Sequence, residues 1–312
     1  MTPLISLCIP AYKNVAYLKV LLASIENQTF KNYEIIITDD SPNNDVEKIA
    51  IEFAVRMPIT YKKNIPAKGS PGNWNAGIAL AKGEWIKIMH DDDWFASSES
   101  LTEYALAIDN NPQASFIFSQ FCDYENGVLK QINRISKQTL NRIIKNPLYL
   151  FKKNFIGNPS NVLLKNKLSE YYDEKLKWVV DFEFYIRCLQ KLEIAYIPKV
   201  LINIGYNNDQ ITKAVFRNRQ VEIPENIYML NKLGLTVLKN IIVFDYYWRL
   251  FRNLDIRHIE EVEESIEGNH LPHELKSMLA FQFKIPLRIL KIGVFSKTFM
   301  FIAYIRSLCY KK

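Results

Sequence analysis

At 312 residues the chain exceeds the usual size of one domain, so a large domain with an appendage is expected. Its 48% apolar share is ordinary for a folded protein, and no stretch approaches the roughly 18 consecutive apolar residues of a membrane span. The net charge of +7 is uneven, because Phe281 to Lys312 holds seven basic residues and no acid, leaving 33 basic to face 33 acidic residues elsewhere. A main domain with no basic surplus argues against a nucleic-acid partner.

In chain order, Ile5 to Ile9 reads as a strand, and Val15, Leu18, Leu21, Leu22 and Ile25 recur at helical spacing after it. Tyr33 to Thr38 repeats the strand signal and ends at Asp39-Asp40-Ser41-Pro42, after which Asp45 opens a second helix with Val46, Ile49 and Phe53 on one face. Ile59 to Lys63 is a weaker third strand. An alanine-rich helix from about Asn73 to Lys82 follows, with Gly83 as its expected terminator, and then a strand from Glu84 to Met89. Strands alternating with helices of about ten residues predict right-handed βαβ units and a parallel sheet, hence an α/β fold.

That strand delivers His90-Asp91-Asp92-Asp93 to one place. Adjacent carboxylates repel, and an oxygen-rich cluster of this kind suits Mg²⁺ or Mn²⁺. The next helix has its own start signals in Ser97, Ser98 and Ser100-Leu101-Thr102-Glu103, so capping does not require the aspartates. Ligands bind outside the carboxyl ends of strands in an open α/β sheet, where Pro10-Ala11-Tyr12, Asp39-Asp40 and the acidic run all fall. No Gly-x-Gly-x-x-Gly follows the first strand, so a bound diphosphate needs another positive charge, which a metal held by the aspartates supplies.

From about Ile5 to Thr212, roughly two thirds of the chain, the residues resemble the family 2 glycosyltransferases with a GT-A fold, a Rossmann-like, mostly parallel sheet flanked by helices. The resemblance rests on an ordered set: Pro-x-Tyr after strand one, Asp-Asp-Ser after strand two, Asn75-Ala76-Gly77 with Ala81-Lys82-Gly83-Glu84 before strand four, and the acidic triplet. It implies a nucleotide site of Pro10, Tyr12, Asp40, Asn75 and Asp91, with Asp40 accepting from a base N–H and Asp91 near the ribose or donor sugar. Asp92 takes the metal position of the family's Asp-x-Asp. His90 stands where its first aspartate is usual, and an imidazole suits Mg²⁺ poorly, so Mn²⁺ is preferred; a histidine satisfied by backbone is the competing reading.

The second half needs a base. Asp181, just inside a predicted helix and in an apolar setting that raises a carboxyl pKa, is the candidate. It resembles the family's catalytic aspartate, with Val180 replacing the usual glutamate; a helix cap, with a surface Glu183–Arg187 pair, is the plainer alternative. Trp178 reads equally as an acceptor-sugar platform or as core. Asn158-Pro159-Ser160-Asn161 resembles the loop under the donor sugar, although turn chemistry alone explains it. Gly205 to Thr212 lies where relatives carry an Arg-x-His, absent here, with Tyr206 as a substitute.

The expected organisation is a catalytic domain over residues 1–220, with a nucleotide half to about 115 and an acceptor half from 116, and a helical region over 221–312 with a basic amphipathic tail. The four cysteines lack metal spacing and read as small core residues in a reducing compartment. No basic segment precedes the first apolar run, and Pro10 interrupts it, so no signal peptide is expected. Lys284, Arg288 and Lys291 among apolar residues, then Phe295 to Tyr310, read as two short helices on an anionic membrane surface, with packing on the catalytic domain or across a homodimer as the alternative. Together these expectations describe an inverting, metal-dependent transfer of a hexose from a UDP-sugar to a glycan, lipid-linked by resemblance, in surface polysaccharide synthesis. The enzyme would be cytoplasmic and peripheral on the inner face of the membrane. The rivals are an inactive nucleotide-sugar or glycan binding protein, and a sugar-phosphate nucleotidyltransferase, whose Gly-rich basic loop after strand one is missing.

Overall fold

The computed structural model describes residues 2–166, 168, 170–206, 215–266 and 271–309. The chain divides into two compact units, one made of Met1–Pro147, Asn154–Leu176 and Val180–Gln210 and the other of Leu148–Lys153, Lys177–Val179 and Ile211–Lys312. The boundary near residue 220 read from the sequence is a single cut, whereas the second unit also takes in two short segments from the middle of the chain.

In the first unit, β1 (Ile5–Ala11) is buried at every residue, as a strand covered on both faces must be. Helix α1 (Val15–Glu26) buries Leu18, Leu21, Leu22 and Ile25, the spacing read from the sequence. Strand β2 (Tyr33–Asp39), α2 (Asp45–Ala54), β3 (Ile59–Lys63), α3 (Gly72–Leu80) and β4 (Trp85–Ile88) complete the expected βαβ run. Their four strands are parallel in the order β3-β2-β1-β4. Gly83 does not terminate α3, which ends at Leu80. Its amide donates to Ser6 Oγ, and a Cβ there would press on the Ser6 backbone at 2.7 Å, so the residue is small because β1 passes against it.

The sheet then turns mixed. Short β5 (Trp94–Phe95) and α4 (Ser100–Asn110) precede β6 (Phe116–Glu125), β7 (Val128–Asn133) and α5 (Lys137–Lys145), and β8 (Val162–Lys165), α6 (Val180–Leu189) and β9 (Ile194–Tyr206) follow. Strand β8 inserts antiparallel between β4 and β6, and β9 runs parallel to β6 and antiparallel to β5, giving nine strands among the described residues with β7 on β6. The alignment positions the site: Ala11 sits beside Asp39 and Cys8 beside Ile88. Tyr12, Asp40 and His90 therefore leave the sheet at the same edge.

The second unit is helical. Helices Arg219–Leu233, Ile241–Asn253, His273–Gln282 and Gly293–Cys309 enclose Phe244, Tyr247, Trp248 and Phe251, which recur at three- and four-residue spacing. The expected tail helix around Lys284 to Ile292 is only one turn, Leu287–Leu290, because Pro286 and Gly293 flank it. Helix Gly293–Cys309 buries Ser296, Met300 and Ala303, with Ser296 Oγ accepting from Trp248 Nε1 at 3.0 Å. Its opposite face exposes Val294, Phe295, Phe301, Ile302, Ile305 and Leu308. Three cysteines are buried, but Cys309, expected in the core, is exposed on that outer side. Among the described residues no helix is long and apolar enough to cross a membrane. The tail's Tyr310, Lys311 and Lys312, and residues 207–212 after Tyr206, lie outside the described residues.

Candidate active site at the strand ends

Strand pairing brings three predicted segments together. Pro10 lies within β1, and Tyr12 just beyond it is half exposed, its backbone N–H donating to Asp91 Oδ2 at 3.2 Å. The Lys13 amide donates to Ser41 Oγ at 2.8 Å, which ties the end of β1 to the segment after β2. Asp40 is buried and accepts from Asn64 Nδ2 (2.8 Å), Lys68 N (3.0 Å) and Gly69 N (2.7 Å). A carboxylate offers about four lone-pair directions, so three are spent on the 64–69 loop and one remains for a ligand. Asn75 is committed differently: its amide donates to Tyr172 O at 2.8 Å and accepts from Tyr172 N at 3.0 Å. It fixes the loop that sets Tyr172 edge-on to Trp74, and Trp74 in turn packs on the His90 ring at 4.9 Å between centroids.

The acidic run separates into different environments. Burial, then Asp92, pushes the Asp91 carboxyl up to about 7. Asp93 is fully buried and accepts from Asn158 Nδ2 at 2.7 Å and Gly205 N at 3.0 Å, yet burial and Asp92 still raise its pKa well above the carboxylate range. Burial lowers the His90 pKa, so a neutral imidazole is favoured, and its Nε2 is buried with no hydrogen-bond partner. One ligand atom from each of His90, Asp92 and Asp93 falls within 4.8 Å of the others. Crowded carboxylates beside an orphaned imidazole nitrogen are the donor set a divalent transition metal fits. Backbone does satisfy part of the competing reading: the His90 N–H donates to Ser160 Oγ at 2.9 Å, but that leaves the ring unaddressed.

Asp181 is the second residue of α6. Its Oδ1 accepts from Phe182 N at 2.8 Å and its Oδ2 from Asn154 Nδ2 at 3.1 Å, while burial pushes its pKa up to about 6. The Glu183–Arg187 pair is not a surface pair: Glu183 is fully buried, and Arg187 also reaches Glu170 and Tyr171 O. Trp178, half buried, lies 6.0 Å from the Phe216 ring.

Sequence reasoning undervalued the 154–160 loop. Asn154 holds Asp181, Asn158 holds Asp93, and Ser160 takes the His90 amide, so one short loop joins the candidate base to the acidic run. Lys87 was missed altogether. Read as part of an apolar strand, it is fully buried, with Nζ donating to Ser160 O at 2.5 Å and lying 4.2 Å from the Tyr104 ring centroid. Gly205 was noted only as the start of the segment where relatives carry an Arg-x-His. A Cβ there would collide with the Asp92 carbonyl oxygen, so β9 packs directly against the backbone of the acidic run.

The glycosyl transferase family 2 model matches residues 6–172, more than half of the chain. An uncharacterized glycosyltransferase of Methanocaldococcus jannaschii is 32% identical over 194 residues, 60% of this chain and 65% of its own length. One from Haemophilus influenzae is 31% identical over 37% of this chain and 38% of its own. The chain thus spans less than two thirds of either relative. Among solved structures, S. aureus TarS 1-349 in complex with UDP-GlcNAc superposes with a TM-score of 0.58 at 15% identity, over 97% of this chain and 81% of that one. The mannosyltransferase PcManGT from Pyrobaculum calidifontis, in complex with GDP-Man and Mn²⁺, gives 0.58 at 12% identity, over 100% and 89%. At those identities the superpositions speak for the GT-A fold, and the family match carries the rest: the chain belongs to glycosyl transferase family 2.

Proposed function

We propose that the first unit is the catalytic domain and that it transfers a hexose from a UDP-sugar, with inversion, to a hydroxyl of a lipid-linked glycan in surface polysaccharide synthesis. The observation that carries this reading is the cluster of His90, Asp92 and Asp93 at the end of β4, whose ligand atoms lie within 4.8 Å of one another and include a His90 Nε2 with no hydrogen-bond partner, a set that a cation would neutralise. His90 and Asp92 would hold the metal, with Mn²⁺ preferred over Mg²⁺ because one ligand is nitrogen. Such an ion supplies Lewis-acid stabilisation of the departing diphosphate. Tyr12 offers an exposed ring for the base, Asp40 its remaining lone pair, and Asp91 an acceptor for ribose or sugar hydroxyls. Asn75 contributes by positioning the Tyr172 loop.

Asp181 then acts as general base. The acceptor oxygen bonds to the anomeric carbon as the carbon–oxygen bond to the diphosphate breaks; its proton passes to Asp181 and the bonding pair leaves with the diphosphate. A pKa of about 6 suits this role, since the carboxyl is mostly ionised at neutral pH yet more basic than an exposed one. The membrane contact is assigned to helix Gly293–Cys309, whose outer apolar face is flanked by Lys297 and Arg306 within a stretch that holds no acid. A thermal-shift panel of UDP, GDP and their sugar conjugates, with and without Mn²⁺, tests the donor assignment. Uridine ligands should stabilise most and need the metal; stabilisation by guanosine ligands alone, or none in Mn²⁺, would remove it.

A further inference from the structure

A second acid-free basic stretch lies inside the first unit. No aspartate or glutamate occurs between Glu125 and Glu170, and the arm formed by the β6–β7 hairpin and α5 carries Lys130, Arg134, Lys137, Arg142 and Lys145. All five are exposed, with Lys130 paired to Glu125 at 3.2 Å. Apolar side chains alternate with them: Val128 is 59% exposed, Leu129 45%, Ile132 40% and Ile144 50%. The hairpin is tight, with Asn126 and Gly127 both at positive φ (51° and 75°), the two-residue turn that lets strands reverse without splaying. Among the described residues, strand β7 pairs only with β6. The arm springs from the active-site edge, because β6 Asp123 and Tyr124 lie beside β9 Ile204 and Gly205, and Gly205 abuts Asp92.

From this we infer that the arm is a membrane-contacting element of the catalytic unit and docks on anionic lipid. The charge selects the partner. Five cations against two acids, Asp123 and Glu125 on β6, leave a positive face that repels a second copy of itself and attracts a negative surface. A soluble phosphate would not call for four exposed aliphatic side chains, whereas a headgroup layer over acyl chains accommodates both kinds. Residues 126–146 contain no aromatic ring on which nucleobases could stack. The inference rests on the arm alone and gives the proposed lipid-linked acceptor a route to the site; it does not depend on the C-terminal helix.

The test places a nitrobenzoxadiazole label on a full-length Leu129→Cys protein carrying Cys309→Ser, since the other three cysteines are buried. Equimolar phosphatidylglycerol and phosphatidylcholine vesicles should shift the emission to the blue, salt should reverse the shift, and pure phosphatidylcholine should not produce it. Lys137→Glu, Arg142→Glu and Lys145→Glu together should raise the lipid concentration for half-maximal shift on the order of 100-fold, with unchanged circular dichroism. An emission that stays at the aqueous value while the protein pellets with the vesicles overturns the inference. So does an equal shift with polyuridylate, or one that follows protein concentration alone. Pelleting and label response that both persist unchanged in variants of helix Gly293–Cys309 would overturn the tail assignment and keep this one.

Discussion

Asp181→Asn separates chemistry from binding most cleanly. The carboxyl's pKa of about 6 means that roughly nine tenths is ionised at pH 7 and one tenth at pH 5. Turnover should therefore fall about tenfold between those values, whereas an ordinary carboxylate near 3.9 would lose only about 7%. Removing the base should cut turnover by something like 10² to 10⁴ and flatten that acid limb. The fold should tolerate the change. A carboxyl whose pKa is raised opposes folding progressively as pH rises above the unfolded value of about 3.9, where the unfolded chain ionises first, and the cost is complete above about 6. The amide removes that cost, on the order of 1 to 3 kcal/mol. Its single oxygen can accept from Phe182 N or from Asn154 but not both, a loss of about 1 kcal/mol. With the two nearly offsetting, Tm should move by no more than about 4 °C. Radiolabelled sugar transfer across pH, with donor affinity by calorimetry, measures each part. Lost donor binding with turnover per bound donor preserved would show that Asp181 holds the donor and would refute the base.

Asp92→Asn should abolish metal-dependent UDP binding by calorimetry without altering circular dichroism; unchanged affinity at saturating Mn²⁺ would remove Asp92 from the metal site. His90→Asp should shift preference from Mn²⁺ toward Mg²⁺ in thermal-shift titrations, since it exchanges a nitrogen ligand for oxygen. Gly205→Ala should destabilise by about 1 to 3 kcal/mol in urea unfolding, because the new methyl displaces the Asp92 backbone; a neutral result would mean that β9 yields there freely. Phe301→Asp with Ile305→Asp should leave Tm within about 4 °C, as both are exposed, yet weaken pelleting with anionic vesicles, and equal pelleting would clear that helix of membrane contact.

The first four strands and the residues at their ends were legible because their signals are local. An apolar run, a break and a helical stripe occur within about thirty residues, and parallel pairing then fixes where Pro10, Asp40 and His90 emerge. The mixed half was not. Strand β8 reads as three apolar residues after a turn, and nothing nearby says that it inserts between β4 and β6. Asn75 kept its place but revealed a different employment, since its partner Tyr172 lies 97 residues away. Asn158-Pro159-Ser160 reads as turn chemistry for the same reason: its meaning comes from Asp93 and His90, 65 and 70 positions earlier.

Lys87 shows what that distance conceals. A lysine in a buried strand contradicts every local rule, and burial lowers its pKa well below the usual value. It persists because Ser160 O accepts a hydrogen bond from its Nζ and the Tyr104 ring packs against the same nitrogen. Ser160 also receives the His90 amide, so the strand that presents the acidic run grips the loop at two points, three residues apart. That loop continues to Asn154 and Asp181. A base must sit within hydrogen-bond reach of the hydroxyl it deprotonates while the donor stays fixed at the other end, and about 1 Å of error is costly. On the proposed reading, the polar contacts between Lys87 and Asn154 would supply that rigidity, and asparagine and serine side chains are what make them.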